Sequence, residues 1–461
     1  MSRRVVTDAI HGSIELSDRE WRVVDTPSFQ RLRHLKQLQM AHLTYPNATH
    51  TRLAHSLGVF ALMRRVLDVA KEALRLTQEQ IEDLRLAALL HDIGHYPYSH
   101  LMEKVDKVQL AEDFVGLATA RMGGKIYASA TYPKHESLGE LIVTARRDLL
   151  EVVGGVDRAR RVADLFTRSA TADPQLSKLI HSSLDMDRFD YLLRDAQATG
   201  VPFGSVDLHH LLANVKVSSS GMIGFSHKAV SSAEHFLFAR FFMHKVVYYH
   251  KTTFGFEEAC RQLIRRCRDQ RLLGVPASGD EVRSLFAGDQ LLNFTDGWVD
   301  DLVRKAATCD DPIIQKLANC IIHRRPPALI REVSELKDLS QRGSAEHCKD
   351  FLKRCQDRLQ GLAEELNVDI RHFLVTGPTS VTLEDRSSRL TCEAARELED
   401  EAREGLVKIF EKGRDEPTAL VDIQSSITNV AANHAYQFAR LYLVTDDREI
   451  SREATERVAG W

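Results

Sequence analysis

A mainly α-helical fold with a smaller C-terminal α+β lobe is what the sequence predicts, on three observations. Only 12 prolines and 24 glycines are spread over 461 residues, so little interrupts helix. Apolar residues recur at helical spacing, as in Leu53, Leu57, Phe60 and Ala61. Beyond a charged segment from Leu336 to Cys348, which contains Gly343-Ser344, the pattern shortens to strand-like runs. That segment is the candidate boundary between a helical body, residues 1–340, and a lobe, residues 341–461.

Taken in order, Arg52 and His55 are three apart and share one helix face, with Leu53 and Leu57 on another. The run Leu86-Ala87-Ala88-Leu89-Leu90 then reads as a buried element. In Asp185-Met186-Asp187-Arg188-Phe189-Asp190-Tyr191, residues Asp187, Tyr191 and Asp195 form one polar stripe at i, i+4 and i+8. Leu184, Phe189, Leu192 and Leu193 make that helix otherwise apolar. A polar stripe on a buried helix must satisfy its groups somewhere, and a metal pocket would do so. Phe236, Arg240, His244 and Tyr248 form a second, mixed stripe. In the lobe, Phe373–Thr376 and Val381–Leu383 read as strands around Gly377-Pro378, and Val407–Phe410 and Leu441–Val444 read likewise. Glu393 to Glu404 reads as a charged, solvated helix.

The bulk properties narrow the class. Hydrophobic residues make up 43%, ample for a large core, and 62 basic against 65 acidic residues leave a net charge of -3. That balance forces neither a membrane nor a nucleic-acid partner, and it leaves a local basic pocket open. The seven cysteines all follow residue 259, are odd in number and show no Cys-x-x-Cys spacing. They point to a reducing compartment without structural disulfides. With no signal-peptide pattern at the start and no membrane-length apolar run, the expectation is a soluble cytoplasmic protein.

The chemistry concentrates in His91-Asp92-Ile93-Gly94-His95, where an apolar element delivers imidazole and carboxylate together to its polar end. Neutral imidazole plus carboxylate suits a divalent metal. A His-Asp pair alone also marks ordinary helix ends, so further ligands are needed. His55 and the acidic cluster around Asp187 are the candidates. His100 and Glu103, three apart, could share a face, where a carboxylate orients an imidazole and raises its pKa. His135-Glu136 repeats the pairing in a more polar, loop-like context. Arg240 offers a planar fork for phosphate and Tyr248 a flat wall for a sugar or base.

These residues occur in an ordered set. It runs from Asp8-Ala9-Ile10-His11-Gly12 through Asp25-Thr26-Pro27-Ser28-Phe29-Gln30-Arg31-Leu32-Arg33, Gln37-Leu38 and Arg52-Leu53-Ala54-His55-Ser56-Leu57-Gly58. It continues with His91 to His100, His135-Glu136, Asp185 to Asp195 and Arg240 to Lys251, with weaker similarity to Arg440–Val444. The chain resembles the HD-domain phosphohydrolases, and within them the deoxynucleoside triphosphate triphosphohydrolases. The likeness is to the catalytic region of members that combine a sterile-alpha-motif with an HD domain. It covers most of the chain and implies an HD-type helical catalytic body.

The resemblance implies that His55, His91, Asp92 and Asp187 are metal ligands, and that His100 and His135 do proton work with Glu103 supporting His100. Arg52, His95, Arg188, Tyr191 and Arg240 would hold the triphosphate. Gln37, Leu38, Asp195, His244 and Tyr248 would surround sugar and base too tightly for a 2′-hydroxyl. Glu103 stands where the human member has aspartate, and Arg188 where it has lysine. The implied enzyme hydrolyses dNTPs to deoxynucleoside and triphosphate. Two His and two Asp suit one transition metal, Fe, Mn, Zn or Ni, with Mg on the nucleotide phosphates.

Regulation is implied too. Arg4, Val5, Asp25, Gln30 and Arg33 match an activator pocket for GTP, and Arg325 matches its distal arginine. The adjoining dNTP activator site matches poorly, because Ser226, Ser232 and His210 replace its polar groups, although Lys228, His250 and Lys251 fit. Such pockets lie between subunits, so an allosteric homo-oligomer, a homotetramer by preference, is expected. Nucleotide-pool balance and antiviral defence are both roles the resemblance allows. Two rivals stay open: an HD-type nuclease or phosphohydrolase for another nucleotide, and a nucleotide-sensing binding module with a silent site.

Overall fold

The computed structural model describes residues 4–116, 131–169, 171–177, 179–180, 185–339, 346–383 and 406–461. Most of them are helical, as expected. A hairpin of Arg4–Asp8 and Gly12–Leu16 opens the chain and pairs from Arg4↔Leu16 to Asp8↔Gly12. Helix Asp18–Val24 follows, started by a capping box in which Ser17 and Glu20 satisfy each other's backbone N–H groups.

The central layer is helix Arg52–Ala70 packed between Gln78–Leu90 and Met186–Thr199. Its central part, from His55 to Met63, is buried throughout, which explains why its apolar residues are not confined to one stripe. Helix Gln78–Leu90 starts on a Thr77/Gln80 capping box and ends in Leu86–Leu90, five residues at most 1% exposed. The polar residues that follow, His91 and Asp92, are therefore held by a rigid, fully packed stem. Phe189 anchors Met186–Thr199 from the opposite side, its ring 4.9 Å from that of Phe236. Truncating so buried an aromatic to alanine costs about 3–5 kcal/mol. Leu184 lies outside the described residues.

The mixed stripe on helix Val230–Met243 departs from simple expectation. The α-helix stops at Met243, and His244–Tyr248 wind as a π-helix before helix Lys251–Asp269 begins. The chain winds more loosely through this turn, and the His244 and Tyr248 rings meet edge to face at 4.8 Å. Single π turns recur at functional sites because they re-aim side chains without breaking the helix.

In the C-terminal part, Ala328–Asp338, His434–Leu443 and Phe373–Thr382 form an antiparallel sheet with the long strand His434–Leu443 in the middle. The two short strands expected around Gly377-Pro378 are one strand with a register shift between Thr376 and Thr379. Helix His347–Glu365 covers this sheet with Cys348, Phe351, Cys355, Leu359 and Leu362, forming a second core. The strand Ala328–Asp338 comes from residues before 340 and runs through the start of the Leu336–Cys348 segment. Strand Lys408–Phe410 returns to pair in parallel with Ile223–Ser226, Phe225 opposite Ile409. The two parts of the chain thus exchange strands. The charged helix expected over 393–404 lies outside the described residues. Among the described residues, no helix is long and apolar enough to cross a membrane.

Candidate active site

Three helix ends deliver the first cluster. His55 comes from the first turn of Arg52–Ala70, His91 and Asp92 from the end of Gln78–Leu90, and Asp187 from the first turn of Met186–Thr199. His55 Nε2 lies 2.8 Å from Asp187 Oδ1 and 3.7 Å from Asp92 Oδ2. His91 Nε2 lies 3.4 Å from Asp92 Oδ1 and 3.8 Å from Asp187 Oδ1. Both Nε2 atoms are buried and face these carboxylates without a well-formed hydrogen bond. Buried polar atoms normally find a partner. Two orphaned lone pairs converging on two carboxylates are the geometry a divalent cation completes, so the donor set fits a metal.

The other ring nitrogens show the same design. His91 Nδ1 donates to Ala88 O at 2.9 Å, and His55 Nδ1 donates to Asp190 Oδ2 at 2.7 Å. Those bonds place the proton on Nδ1 and leave Nε2 as the ligand atom. Burial opposes a charge on His55, but Asp187 and Asp190 outweigh it and raise its pKa to about 10. On His91, Asp92 and Asp187 likewise outweigh burial and raise the pKa. Burial would raise Asp92, but Arg52, His91 and His95 hold it well below the usual carboxylate range. The pocket is short of positive charge at the point where a cation would sit.

Asp190 was not among the expected site residues. It is fully buried, and its oxygens accept from His55 Nδ1, His11 Nε2 (2.7 Å) and Arg194 Nε and Nη2 (both 2.8 Å). Arg194 in turn donates to Asp8 at 2.9 Å. A buried relay Asp8–Arg194–Asp190–His55 therefore orients one ligand. Asp187, Asp190 and Arg194 at i, i+3 and i+7 carry a readable helical signal. The partners Asp8 and His11, some 180 residues away, stand in the Asp8–Gly12 stretch that opens the ordered set, but no spacing ties them to Asp190. Gly58 makes room for the relay, since a Cβ there would lie 1.8 Å from Asp190 Oδ1.

Beside this cluster stands a pair of histidines on one carboxylate. Glu103 Oε2 accepts from His100 Nδ1 at 2.7 Å, and Glu103 Oε1 accepts from His135 Nδ1 and His135 N, both at 3.0 Å. Glu103 thus holds both histidines, one more than expected. His135 does not sit in a loop; it is the first residue of helix His135–Ala145. The His95 and His135 rings stack at 4.0 Å. Burial pushes His95 well down, helped by Arg52 and His135, and Asp92 only partly opposes this. Burial also keeps His100 below its usual value, while Glu103 and Glu136 raise His135 against burial. The histidines hold Glu103 far below the usual carboxylate range although burial opposes it.

Two residues not foreseen tie down the loop between the clusters. Buried Arg31 donates to Phe294 O and to His95 O, both at 2.8 Å, and burial pushes its pKa down to about 9. Ser99, in a left-handed conformation (φ 50°), accepts from Arg52 Nε at 2.7 Å, while Arg52 Nη1 binds Asp92 Oδ2. Strained non-glycine residues persist where surrounding contacts over-determine them. Gly94 admits helix His135–Ala145: a Cβ would lie 2.0 Å from His135 O and 2.2 Å from Gly139 N, both backbone atoms that cannot yield alone. Gly94→Ala is therefore expected to push His135 off Glu103 and His95. A fold-preserving variant with the His135 imidazole resonance and pKa unchanged by NMR would contradict this.

A cavity of about 610 Å³ borders both clusters through Arg52 and His100. Gln37, Leu38, Tyr191, His244 and Tyr248 line it, five residues expected at a sugar and phosphate site. His95, Arg188, Asp195 and Arg240, also expected, do not line it. Asp195 stands behind the wall, accepting from Tyr248 OH at 2.8 Å and His50 Nε2 at 2.7 Å. Arg188 and Arg240 stand close enough to His244 that, with burial as the larger cause, its pKa is pushed down to about 3. The lining also includes Lys104, Phe254, Glu257 and Arg261, outside the ordered set, and Tyr249, within its Arg240 to Lys251 stretch.

The expected activator residues separate into two places. Arg4 lies over the Trp21 ring at 5.0 Å, on the helix whose C-cap is Asp25. Gln30 bonds Val24 O at 2.6 Å and accepts from Arg33. Val5 is half exposed. Arg325 instead pairs with Asp446 at 3.2 Å beside a cavity of about 260 Å³ whose lining shares none of those residues. Ser226, His210 and Lys228 are neighbours: His210 Nε2 bonds Lys228 O at 3.2 Å and Ser226 Oγ bonds Asn214.

Fold and site together define a helical protein with a His/Asp centre suited to a divalent cation. The HD domain family matches residues 52–194, and the HD associated region matches residues 206–279. An uncharacterized protein of Methanocaldococcus jannaschii is 32% identical over 252 residues, 54% of this chain and 46% of that protein. A protein of Dictyostelium discoideum named deoxynucleoside triphosphate triphosphohydrolase SAMHD1 homolog is 27% identical over 346 residues, 73% of this chain and 61% of that protein. The crystal structure of a phosphohydrolase from Bacteroides thetaiotaomicron superposes with a TM-score of 0.66 at 20% identity, covering 95% of this chain and 99% of that one. The chain spans about half the length of the curated relatives it matches. Its residues 52–194 are thus similar to an HD domain, and its fold is that of the Bacteroides structure.

Proposed function

We propose that the chain hydrolyses deoxynucleoside triphosphates to deoxynucleoside and intact triphosphate. The carrying observation is the adjacency of the His/Asp cluster, the Glu103-bound histidine pair and a 610 Å³ cavity walled by Gln37, Leu38, Tyr191, His244 and Tyr248. The name of the Dictyostelium relative supports the same substrate class.

His55, His91, Asp92 and Asp187 would hold one Fe, Mn, Zn or Ni ion. When bound, such an ion supplies Lewis acidity and a water nucleophile at neutral pH. Arg52, Arg188 and Arg240 offset the triphosphate charge, with Mg on the phosphates. Water attacks the α-phosphorus, the bond to the 5′-oxygen breaks, and His100 gives that oxygen its proton. Glu103 orients His100 and raises the pKa of His135. Tyr248, fixed by Asp195, narrows the space at the sugar and favours deoxyribose.

The test is incubation of purified protein with each dNTP and NTP, with and without GTP, and separately with labelled single-stranded DNA. Triphosphate release from dNTPs is expected. Pyrophosphate and monophosphate as products would refute the reaction, DNA shortening would favour the nuclease, and no turnover the sensor. A GTP response, with oligomer size followed by light scattering, tests the activator at Arg4, Val5, Asp25, Gln30 and Arg33 and the tetramer.

Glu103→Gln removes the charge that raises His135. Glu103 also counters burial at His100, the acid, whose protonated form is lost as pH rises through its pKa. Without Glu103 that loss begins at lower pH, so the alkaline limb of the kcat profile should move toward acid. Turnover should fall roughly 10²-fold or more. An unchanged limb would show that neither histidine acts as the acid.

A further inference from the structure

Part of the cavity wall serves neither the phosphates, the sugar nor the metal cluster. Glu257, on helix Lys251–Asp269, lines the cavity and is 9% exposed. Its neighbour Glu258 is held by Arg261 at 2.5 Å. Glu257 makes no hydrogen bond among the described residues; Arg261 and Lys104 act on it only as nearby charges. Burial pushes its carboxyl up to about 7. A buried carboxylate without donors is costly unless a ligand supplies N–H groups.

The surroundings say which ligand. Tyr249 and Phe254 line the same cavity with aromatic side chains. The proposed reaction puts the phosphates beside Arg52, which binds Asp92 of the His/Asp cluster, and leaves the flat base for Glu257. We propose that Glu257 reads the base of the bound nucleotide and selects guanine, whose N1–H and 2-amino group present two parallel donors to one carboxylate. Adenine and cytosine place a ring acceptor beside their amino group, and thymine flanks its one N–H with two carbonyls. Each loses a bond to the carboxylate or sets a lone pair against it. This inference rests on reading the cavity as a dNTP pocket.

The experiment compares KM for dGTP, dITP, dATP, dCTP and dTTP in wild type and Glu257→Gln. Wild type should favour dGTP, and dITP, which lacks only the 2-amino group, should bind less well. Glu257→Gln should raise KM for dGTP roughly 10–100-fold and leave dTTP nearly unchanged. Equal KM for dGTP and dITP in wild type overturns guanine selection, whether or not the variant folds, and leaves dNTP hydrolysis standing. Selective loss of dGTP in the variant supports it. If no dNTP is turned over, the proposed reaction fails, and calorimetry decides the inference. Tighter wild-type binding of 2′-deoxyguanosine than 2′-deoxyinosine upholds it; equal or absent binding overturns it.

Discussion

Asp187→Ala is expected to empty the metal centre and bring turnover to background while the fold persists. Asp187 sits at the open side of the cluster, its side chain 30% exposed, so no core cavity follows its loss. Its contacts in the cluster are with His55 and His91, so the cost to stability is confined to those pairs. The chemical loss is larger. His55, His91 and Asp92 alone hold a cation weakly, and His55 Nε2 loses the carboxylate 2.8 Å away. Elemental analysis of the purified variant should show little transition metal, with unchanged far-UV circular dichroism. Wild-type metal content and full turnover in the variant would remove Asp187 from the centre. Full activity in chelator-treated wild type would remove the metal itself.

Asp190→Asn should act in the opposite proportion, on stability as much as on metal. Asp190 is fully buried and takes charged or imidazole donors from Arg194, His11 and His55. An amide keeps the shape but supplies one acceptor where three partners converge, and its NH₂ faces donors. Breaking a buried ion pair from one side costs about 3–5 kcal/mol, because the remaining charge stays desolvated. Losing a partner that orients a ligand histidine weakens metal about 10–100-fold. The wild-type carboxylate is held at the acid extreme against burial by Arg194, His11 and His55. Its contribution is therefore present above the ordinary carboxylate pKa and lost only in strong acid. Denaturant unfolding at neutral pH, with and without metal, separates the two effects. A variant as stable as wild type, with unaltered affinity, would show that the relay does not orient His55.

Much of the arrangement was legible in the residues themselves. The run Leu86–Leu90 before His91-Asp92 announced a buried stem with a polar end, because local periodicity and burial are coupled. The same logic placed Asp187 and Tyr191 on one helix. Where local rules compete, the reading slipped. His135 lies in a polar stretch yet starts a helix, because Gly94 lets that helix dock against the loop after His91. Between Arg240 and Tyr248 the helix opens into a π turn that no spacing announces.

The sequence alone thus determined the helical class, the His-Asp pair and its companions, and the kind of cation they suit. These are properties of side-chain chemistry and of a 3.6-residue period, and both are local. Only the tertiary structure decided that Asp8, His11 and Arg194 stand behind His55, that Glu103 serves two histidines, and that Glu257 faces the cavity without a donor. Those facts depend on contacts between segments as much as 180 residues apart. Such contacts are set by how whole helices pack, and no stretch of sequence encodes them by itself.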